Sequence, residues 1–458
     1  MSSSSSSAKP ESSPDHEEIF LENYFETLSH LAFDKAKEQL EKEKEASRTS
    51  SSTSGGGSWT TLLNALAFLN AAEKSYTSLT FLELKWFARK ESTRKGLYTV
   101  AMGELRRIEA KCLDVGSFEG QGSLSSRDRL LAHLCEQLSH FIEARQDLMN
   151  IYERLCTLGI QKNEVDFGEL KIAVEDIKER TSKRFHHPVL VPIRNGFSVE
   201  LELLLTLMQT ECNMSSWRFL PALLCLQDSH AKLDAWGAAF KAKDPKKKLY
   251  ALVQVKNSGI PPLFIWLVKM QGAQISKFSL YFHSTLSKQA PPGEMKTHLS
   301  NLPIDYYNKI VTFQRKTDAY NISLVLNTQA SGINFQGLGY HFPSALTEPP
   351  TGMDSYPAIF SYPNERPTNL WPNIVMLIMT KHEAAPLDSI TYECDKISKL
   401  PQLMTYFIGH VDRRMNLVVL FESKKSERDS TTNSFIQEMC SLLRGSRLLA
   451  SLRPGTKS

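Results

Sequence analysis

A chain of 458 residues with 41% apolar and 23% charged side chains can fill two or three packed domains, on a prior of roughly 150 residues each, and is not a low-complexity polymer. Its formal net charge of +4 is too small for this length to indicate a nucleic-acid partner. The longest apolar clusters, Leu203–Met208 and Leu263–Val268, fall far short of the roughly eighteen residues that a bilayer span requires, so any membrane residence has to come through a partner or a weak surface contact.

Residues 1–14 form a Ser-rich tail with nothing apolar to bury, which predicts disorder. Asp15 is placed to cap a helix running to about Ala46, with Ile19, Leu21, Tyr24, Phe25, Leu28, Leu31 and Phe33 as its apolar stripe. Residues 47–58 read as a flexible Ser/Gly linker. From Trp59 a second helix carries Leu62, Leu63, Leu66, Leu69 and Tyr76, and a third runs from about Thr93 to Leu113. The Gly-rich stretch Gly116–Ser125 precedes a long fourth, with Leu130, Leu134, Leu138, Phe141, Ile142, Leu148, Ile151 and Leu155 at helical spacing. Long helices with short connections predict an antiparallel bundle over residues 15–244.

Phe167 to Arg184 reads as a further amphipathic helix. Pro188 and Pro192, four apart, predict an extended segment over Phe185–Pro192. Leu-rich Ser198–Cys212 and then Trp217–Lys243 follow as helix, and the charged run Asp244–Lys248 is the expected domain boundary. Pro261-Pro262 opens another helix, preferred over a strand because proline suits a first turn and Leu263, Leu267 and Met270 keep helical spacing; Gly272 is expected to break or bend it. After a helix over Ile304–Lys316 the period changes. Short apolar runs bounded by turn residues predict strands at Ile322–Leu326, Ile374–Met379, Met404–Val411 and Leu417–Phe421, before a last helix over Ser434–Leu443. The expected class is α+β: an all-α antiparallel bundle, then a domain over 245–458 of long helices on a small, mainly antiparallel sheet.

The residues offer little chemistry. Seven scattered cysteines include no C-x-x-C pair, which suits a reduced intracellular compartment. No phosphate-cradling G-x-x-x-x-G-K-[ST] and no G-x-S-x-G elbow is present, and Gly337-Leu-Gly339 lacks the third glycine of a dinucleotide loop. His382-Glu383 begins like a zinc-protease helix, but Pro386 stands where the second histidine belongs. His186 and His187 are adjacent on a chain read as extended, so they point apart and do not share a metal. His283, His341 and His410 lack any ligand at metal spacing. No catalytic residue, cofactor or metal site is assigned. Two features are left. The long Pro/aromatic loop 340–371 holds Phe342, Tyr356, Phe360, Tyr362 and Trp371, which are candidates for partner contact, with packing against their own domain as the alternative. Lys424–Asp429 is a charged turn, read as solvated, with a basic contact or a phosphorylation site as the minor alternative.

Six stretches together carry a family resemblance: Phe33-Asp-Lys-Ala-Lys37, Phe185-His-His-Pro188, Lys277-Phe-Ser-Leu-Tyr-Phe-His283, Phe335-Gln-Gly-Leu-Gly-Tyr-His341, Phe421-Glu-Ser-Lys-Lys-Ser-Glu-Arg-Asp-Ser430 and Ala450-Ser-Leu-Arg-Pro-Gly455. The chain resembles the small helical-plus-sheet subunit of the KICSTOR complex, whose other members include kaptin. The resemblance implies a non-enzymatic scaffold in a lysosomal complex. Such a complex recruits a GATOR-type GTPase-activating assembly and restrains target-of-rapamycin signalling when amino acids or glucose are scarce. Two other readings compete. A trafficking or GTPase-regulator adaptor has fold analogy alone in its favour. A hydrolase needs a nucleophile within hydrogen-bond reach of a histidine in a cleft.

Overall fold

The computed structural model describes residues 16–50, 56–83, 92–118, 126–162, 164–184, 186–241, 259–329, 335, 350–396 and 403–455. The boundary expected at Asp244–Lys248, the Ser-rich tail and residues 51–55 of the Ser/Gly linker lie outside them; the linker's other residues, 47–50 and 56–58, are helical rather than linker, as the end of one helix and the start of the next. Two compact units form. One draws on Met1–Tyr76, Lys85–Asp147 and Ile177–Glu200, the other on Thr77–Leu84, Leu148–Asp176 and Leu201–Ser458.

The first unit is helical. Helices α1 (His16–Ser29) and α2 (Phe33–Ser50) replace the single helix expected from Asp15 to Ala46. Leu31 adopts the left-handed conformation at φ 58, so the amides of Leu31 and Ala32 turn back onto the carbonyls of Leu28 and Thr27 and close α1. An apolar stripe reports the period but not a left-handed residue within it. Next come α3 (Gly56–Thr77), α4 (Ser92–Phe118) and the first part of α5 (Ser126–Gln161), then the end of α6 (Phe167–Ser182) and the start of α7 (Val191–Ser215); the rest of α5, α6 and α7 belongs to the second unit. Of the segment expected to be extended over Phe185–Pro192, Phe185 lies outside the described residues and His187 is extended, but Pro188–Leu190 is a 3-10 turn and Pro192 stands in the first turn of α7. There its missing N–H costs nothing, and the His187 ring accepts the Val189 amide at 3.3 Å. Tyr24, Leu63, Leu66, Tyr98, Phe141 and Phe197 are buried in the core.

In the second unit, α8 (Phe219–Lys241) is followed by α9 (Pro262–Tyr281), α10 (His283–Ser287), α11 (Pro292–Ser300) and α12 (Tyr306–Thr317). Helix was the right reading for Leu263–Val268; the expected break at Gly272 does not occur, and α9 runs through it. The sheet has the order β2-β1-β5-β4-β3, every neighbouring pair antiparallel, with β1 (Asn321–Leu326), β2 (Ala358–Tyr362), β3 (Ile390–Lys396), β4 (Leu403–His410) and β5 (Met415–Phe421). Its register sets Ile322 beside Val419 and Val419 beside Phe407.

Both faces of the sheet are covered, which is why its inner strands read as apolar runs rather than as an apolar–polar alternation. On one face Ile322, Leu324, Phe407, Leu417 and Val419 pack with Phe278, Ile310, Ile436 and Met439 of α9, α12 and α14 (Ser430–Arg444). On the other, Val325, Tyr406, Ile408, Val418 and Leu420 pack with Trp371, Ile374, Val375 and Ile378. The latter four contradict the strand expected at Ile374–Met379. That run is α13 (Trp371–Leu377) continued by a π-helical turn over Ile378–His382. Pro372 sits in its first turn, and burial at 371, 374, 375 and 378 with exposure of Met376 and Met379 is helical spacing in a run too short for period alone to classify. The expected loop 340–371 is likewise not all loop, because it contributes edge strand β2. A last short helix, α15 (Ser446–Ala450), follows Gly445, whose φ of 73 lets α14 end and α15 begin at one residue.

Candidate functional site

A concavity of about 590 Å³ in the second unit is assembled from five separated segments. Asp166 caps α6, its Oδ1 accepting the Glu169 amide at 3.0 Å, and this brings Phe167 and Gly168 to the wall. The last turn of α7 supplies Glu211, Ser215 and Ser216; it ends where Trp217 turns left-handed at φ 57. Helix α9 supplies Lys277, and the end of α14 supplies Arg444. The tight β4–β5 turn adds Asp412, Arg413 and Arg414; Asp412 Oδ1 accepts the amides of Arg414 and Met415 at 2.8 and 2.9 Å.

Charge in this groove is organised around a buried pair. Lys277 Nζ lies 2.9 Å from Glu211 Oε2, each side chain only 11% exposed, and the ammonium stands 5.4 Å from the Tyr281 ring centroid. Burial works against the Lys277 charge, but Glu211 and then Asp412 outweigh it and hold the ammonium above the ordinary lysine range. Burial, reinforced by Asp412 and Glu211, pushes the Tyr281 phenol well up, and burial does the same to Tyr306. Both phenols stay neutral at physiological pH, and among the described residues neither hydroxyl has a hydrogen-bond partner. A lysine kept charged is neither a base nor a nucleophile. The groove is therefore equipped to hold charge and to bind.

The histidines and cysteines fall elsewhere. His186 is exposed while its amide donates to Gln137 Oε1 at 2.8 Å; His187 is buried, 5.5 Å from the His133 ring. His283 stacks on Tyr307 at 5.5 Å and meets Phe360 edge-on. His341 lies outside the described residues. His382 and His410, neither read as a pair from sequence, stack buried at 3.6 Å. His410 Nε2 donates to the His382 carbonyl at 2.7 Å, and His382 Nδ1 is 2.7 Å from Thr391 Oγ1. Burial pushes the thiols of Cys135, Cys156, Cys212, Cys225 and Cys440 up, the last to about 12, which leaves them poor nucleophiles. Among the described residues no group of three or more His, Cys, Asp or Glu is placed to hold a metal.

Of the aromatics singled out for partner contact, Phe342 lies outside the described residues. Tyr356, Phe360 and Trp371 are buried in their own unit. Tyr356 Oη donates to Glu383 Oε1 at 3.0 Å, and Trp371 Nε1 donates to the Tyr356 carbonyl at 3.1 Å. Tyr362 is half-buried, edge-on to Tyr307. Exposed apolar side chains stand instead at Leu220, Leu223 and Leu224 on α8, an i, i+3, i+4 stripe, and at Met353, Met376 and Met379 beside α13. Lys424–Asp429 is a largely exposed turn whose Asp429 caps α14 through the Thr432 amide.

The groove left no trace in the order of residues, because its parts are separated by tens to hundreds of positions and each alone is an ordinary surface charge. Comparison with known proteins identifies the chain more directly. Over 451 residues it is 41% identical to a Xenopus laevis protein named KICSTOR subunit 2, covering 96% of this chain and 97% of that protein. A Danio rerio protein of the same name is 40% identical over 450 residues, covering 96% of each chain. The family model described as KICSTOR complex C12orf66 like matches residues 10–457. With identity of this order over almost every residue, the chain belongs to the KICSTOR complex C12orf66-like family.

Proposed function

We propose that this chain is a non-enzymatic scaffold subunit of a KICSTOR-like complex, with kaptin among its partners. In this reading the complex recruits a GATOR-type GTPase-activating assembly to lysosomes and restrains target-of-rapamycin signalling when amino acids or glucose are scarce. The observation that carries the reading is kinship along nearly the whole chain with proteins named as KICSTOR subunits. The groove is in keeping with it, since its lysine is held protonated and its phenols neutral. The proposed partner role of Phe342, Tyr356, Phe360, Tyr362 and Trp371 takes an indirect form. Those seen to be buried, Tyr356, Phe360 and Trp371, would act by supporting the surface above them rather than by lying on it. Affinity purification of the endogenous chain tests the proposal. Kaptin and the GATOR-type assembly should be recovered with it, and recovery as a lone polypeptide at cellular concentration would refute it.

A further inference from the structure

We infer that the outer edge of β3 takes up a strand from another protein, an extended segment of alternating apolar and basic residues, which adds a sixth strand to the five-stranded sheet. The inference concerns how a partner is held, and it stands whether or not that partner belongs to a KICSTOR-like complex. The sheet order β2-β1-β5-β4-β3 leaves two edges. The β2 edge is a poor template. Its five residues lie between Pro357 and Pro363, which lack an N–H, and its pairing with β1 slips between Leu324 and Val325. The β3 edge has none of these guards. Its seven residues, Ile390–Lys396, include no proline or glycine and pair with β4 in one unbroken register.

Which backbone groups face outward follows from the ladder. Val411 N donates to the Met415 carbonyl at 2.8 Å, so every second residue back along β4, Gly409, Phe407 and Thr405, bonds to β5. Ile408, Tyr406 and Met404 then bond to β3 through their register partners Thr391, Glu393 and Asp395. The N–H and C=O groups of Ile390, Tyr392 and Cys394 turn away from the sheet, and among the described residues none of them has a partner. An added strand satisfies a row of this kind.

The side chains state what that strand should carry. Ile390 and Tyr392 are half-buried on the face covered by α9, α12 and α14, with Tyr392 edge-on to Phe407 at 5.3 Å. Residues opposite them gain contact by being apolar. Thr391 and Glu393 lie on the other face, where His382 Nδ1 is 2.7 Å from Thr391 Oγ1 and Lys381 pairs with Glu393. Asp395 follows on that face, exposed and with no ion pair among the described residues. Glu393 and Asp395 use their backbone bonds on β4. They therefore make non-hydrogen-bonded pairs with a newcomer, at about 4.5 Å between Cα atoms, where cross-strand charges lie closest. Lysine or arginine is the complement at those positions. A second copy of β3 fits less well, since pairing centred on Glu393 sets that carboxylate against its own counterpart.

Fluorescence anisotropy on the full chain tests the edge with dye-labelled acetyl-Lys-Val-Thr-Val-Arg-Val-Lys-amide. Two controls accompany it, one with glutamate in place of lysine and arginine, the other N-methylated at the valines. Saturable binding with Kd below about 200 μM is expected, at least about tenfold weaker for the acidic peptide and lost on N-methylation, which removes the edge hydrogen bonds. Hydrogen exchange of the Tyr392 and Cys394 amides should slow at least about tenfold in the complex. Asp395→Lys, at an exposed position, should weaken the basic peptide about fivefold and strengthen the acidic one. Binding indifferent to peptide charge, to N-methylation or to Asp395→Lys overturns the inference, as does the lack of a saturable signal up to about 2 mM. Slow exchange of the two amides in the free monomer also overturns it, because the chain then covers its own edge. A dimer seen by sedimentation that protects them without peptide assigns the edge to a second copy and overturns it equally.

Discussion

Arg145 of α5 concentrates the energetics of the first unit at one residue. Its Nε and Nη2 grip Glu73 at 3.0 and 3.1 Å, and Nη1 reaches Glu200 at 2.7 Å, with all three side chains buried. Tyr98 Oη donates to Glu73 and Tyr76 Oη to Glu200, at 2.7 and 2.5 Å, and the guanidinium stands 4.3 Å over the Tyr76 ring. One cation thus serves two carboxylates from helices α3 and α7. Replacing it strands both, so Arg145→Met should cost about 3–5 kcal/mol in urea unfolding. Adding Glu73→Leu and Glu200→Leu, with Tyr76 and Tyr98 changed to Phe, should recover most of that loss, because no charge is then left unpaired. The histidine stack makes a second residue-level prediction. Burial and then His410 push His382 down to about 3, and burial lowers His410. Arg444 and Asp412 bear on His410 from α14 and the β4–β5 turn, with opposite effects. Above pH 6.5 folded and unfolded chains both hold these rings neutral, so stability there is full. As pH falls below 6.5 the unfolded chain takes up protons that the native rings refuse, down to about 3 for His382, and stability drops by up to about 1.4 kcal/mol per pH unit per ring. His382→Phe should flatten the loss between pH 7.5 and 5; an unchanged slope in urea titrations would contradict this account.

At the scale of elements, two glycines mark where segments approach more closely than a side chain permits. A Cβ on Gly159, in α5, would lie 2.4 Å from the Ala450 amide nitrogen and 2.7 Å from the Leu449 carbonyl carbon. Backbone cannot retreat as a side chain can, so Gly159→Ala should displace α15 from α5. A Cβ on Gly409, in β4, would meet the Ile436 Cγ2 methyl of α14 at 2.3 Å. Here the obstacle is a side chain. Gly409→Ala should cost about 1–3 kcal/mol through overpacking, and Ile436→Ala should offset part of that loss in the double variant. No comparable rescue by trimming Leu449 is expected for Gly159→Ala, and thermal melts of the four variants separate the cases.

For the whole molecule, no helix among the described residues is long and apolar enough to cross a membrane, and the net charge of +4 is slight for 458 residues. The proposed lysosomal role predicts attachment through kaptin-containing partners. Fractionation of cells lacking kaptin should show the chain lost from the lysosomal pellet while its total amount changes little; retention in the pellet would point to direct lipid contact.

Much of the architecture was legible in the residues, because burial leaves a period. The helices of the first unit, the helix after Pro262 and the strands around Ile322, Phe407 and Val419 all carry apolar side chains at the spacing of the surface they cover. The family was legible too, in strings such as Lys277–His283. What period cannot encode was decided only in three dimensions. Leu31 breaks a helix by a backbone angle, and Ile374–Met379 is too short for its spacing to choose between helix and strand. Tyr356 and Trp371 find their partners across a chain reversal. Arg145 with Glu73 and Glu200, His382 with His410, and Lys277 with Glu211 are pairings of residues remote in sequence. Local sequence fixes which face of an element avoids water, a short-range preference. Which charges then meet behind those faces depends on how the elements pack, and that information is spread over the whole chain.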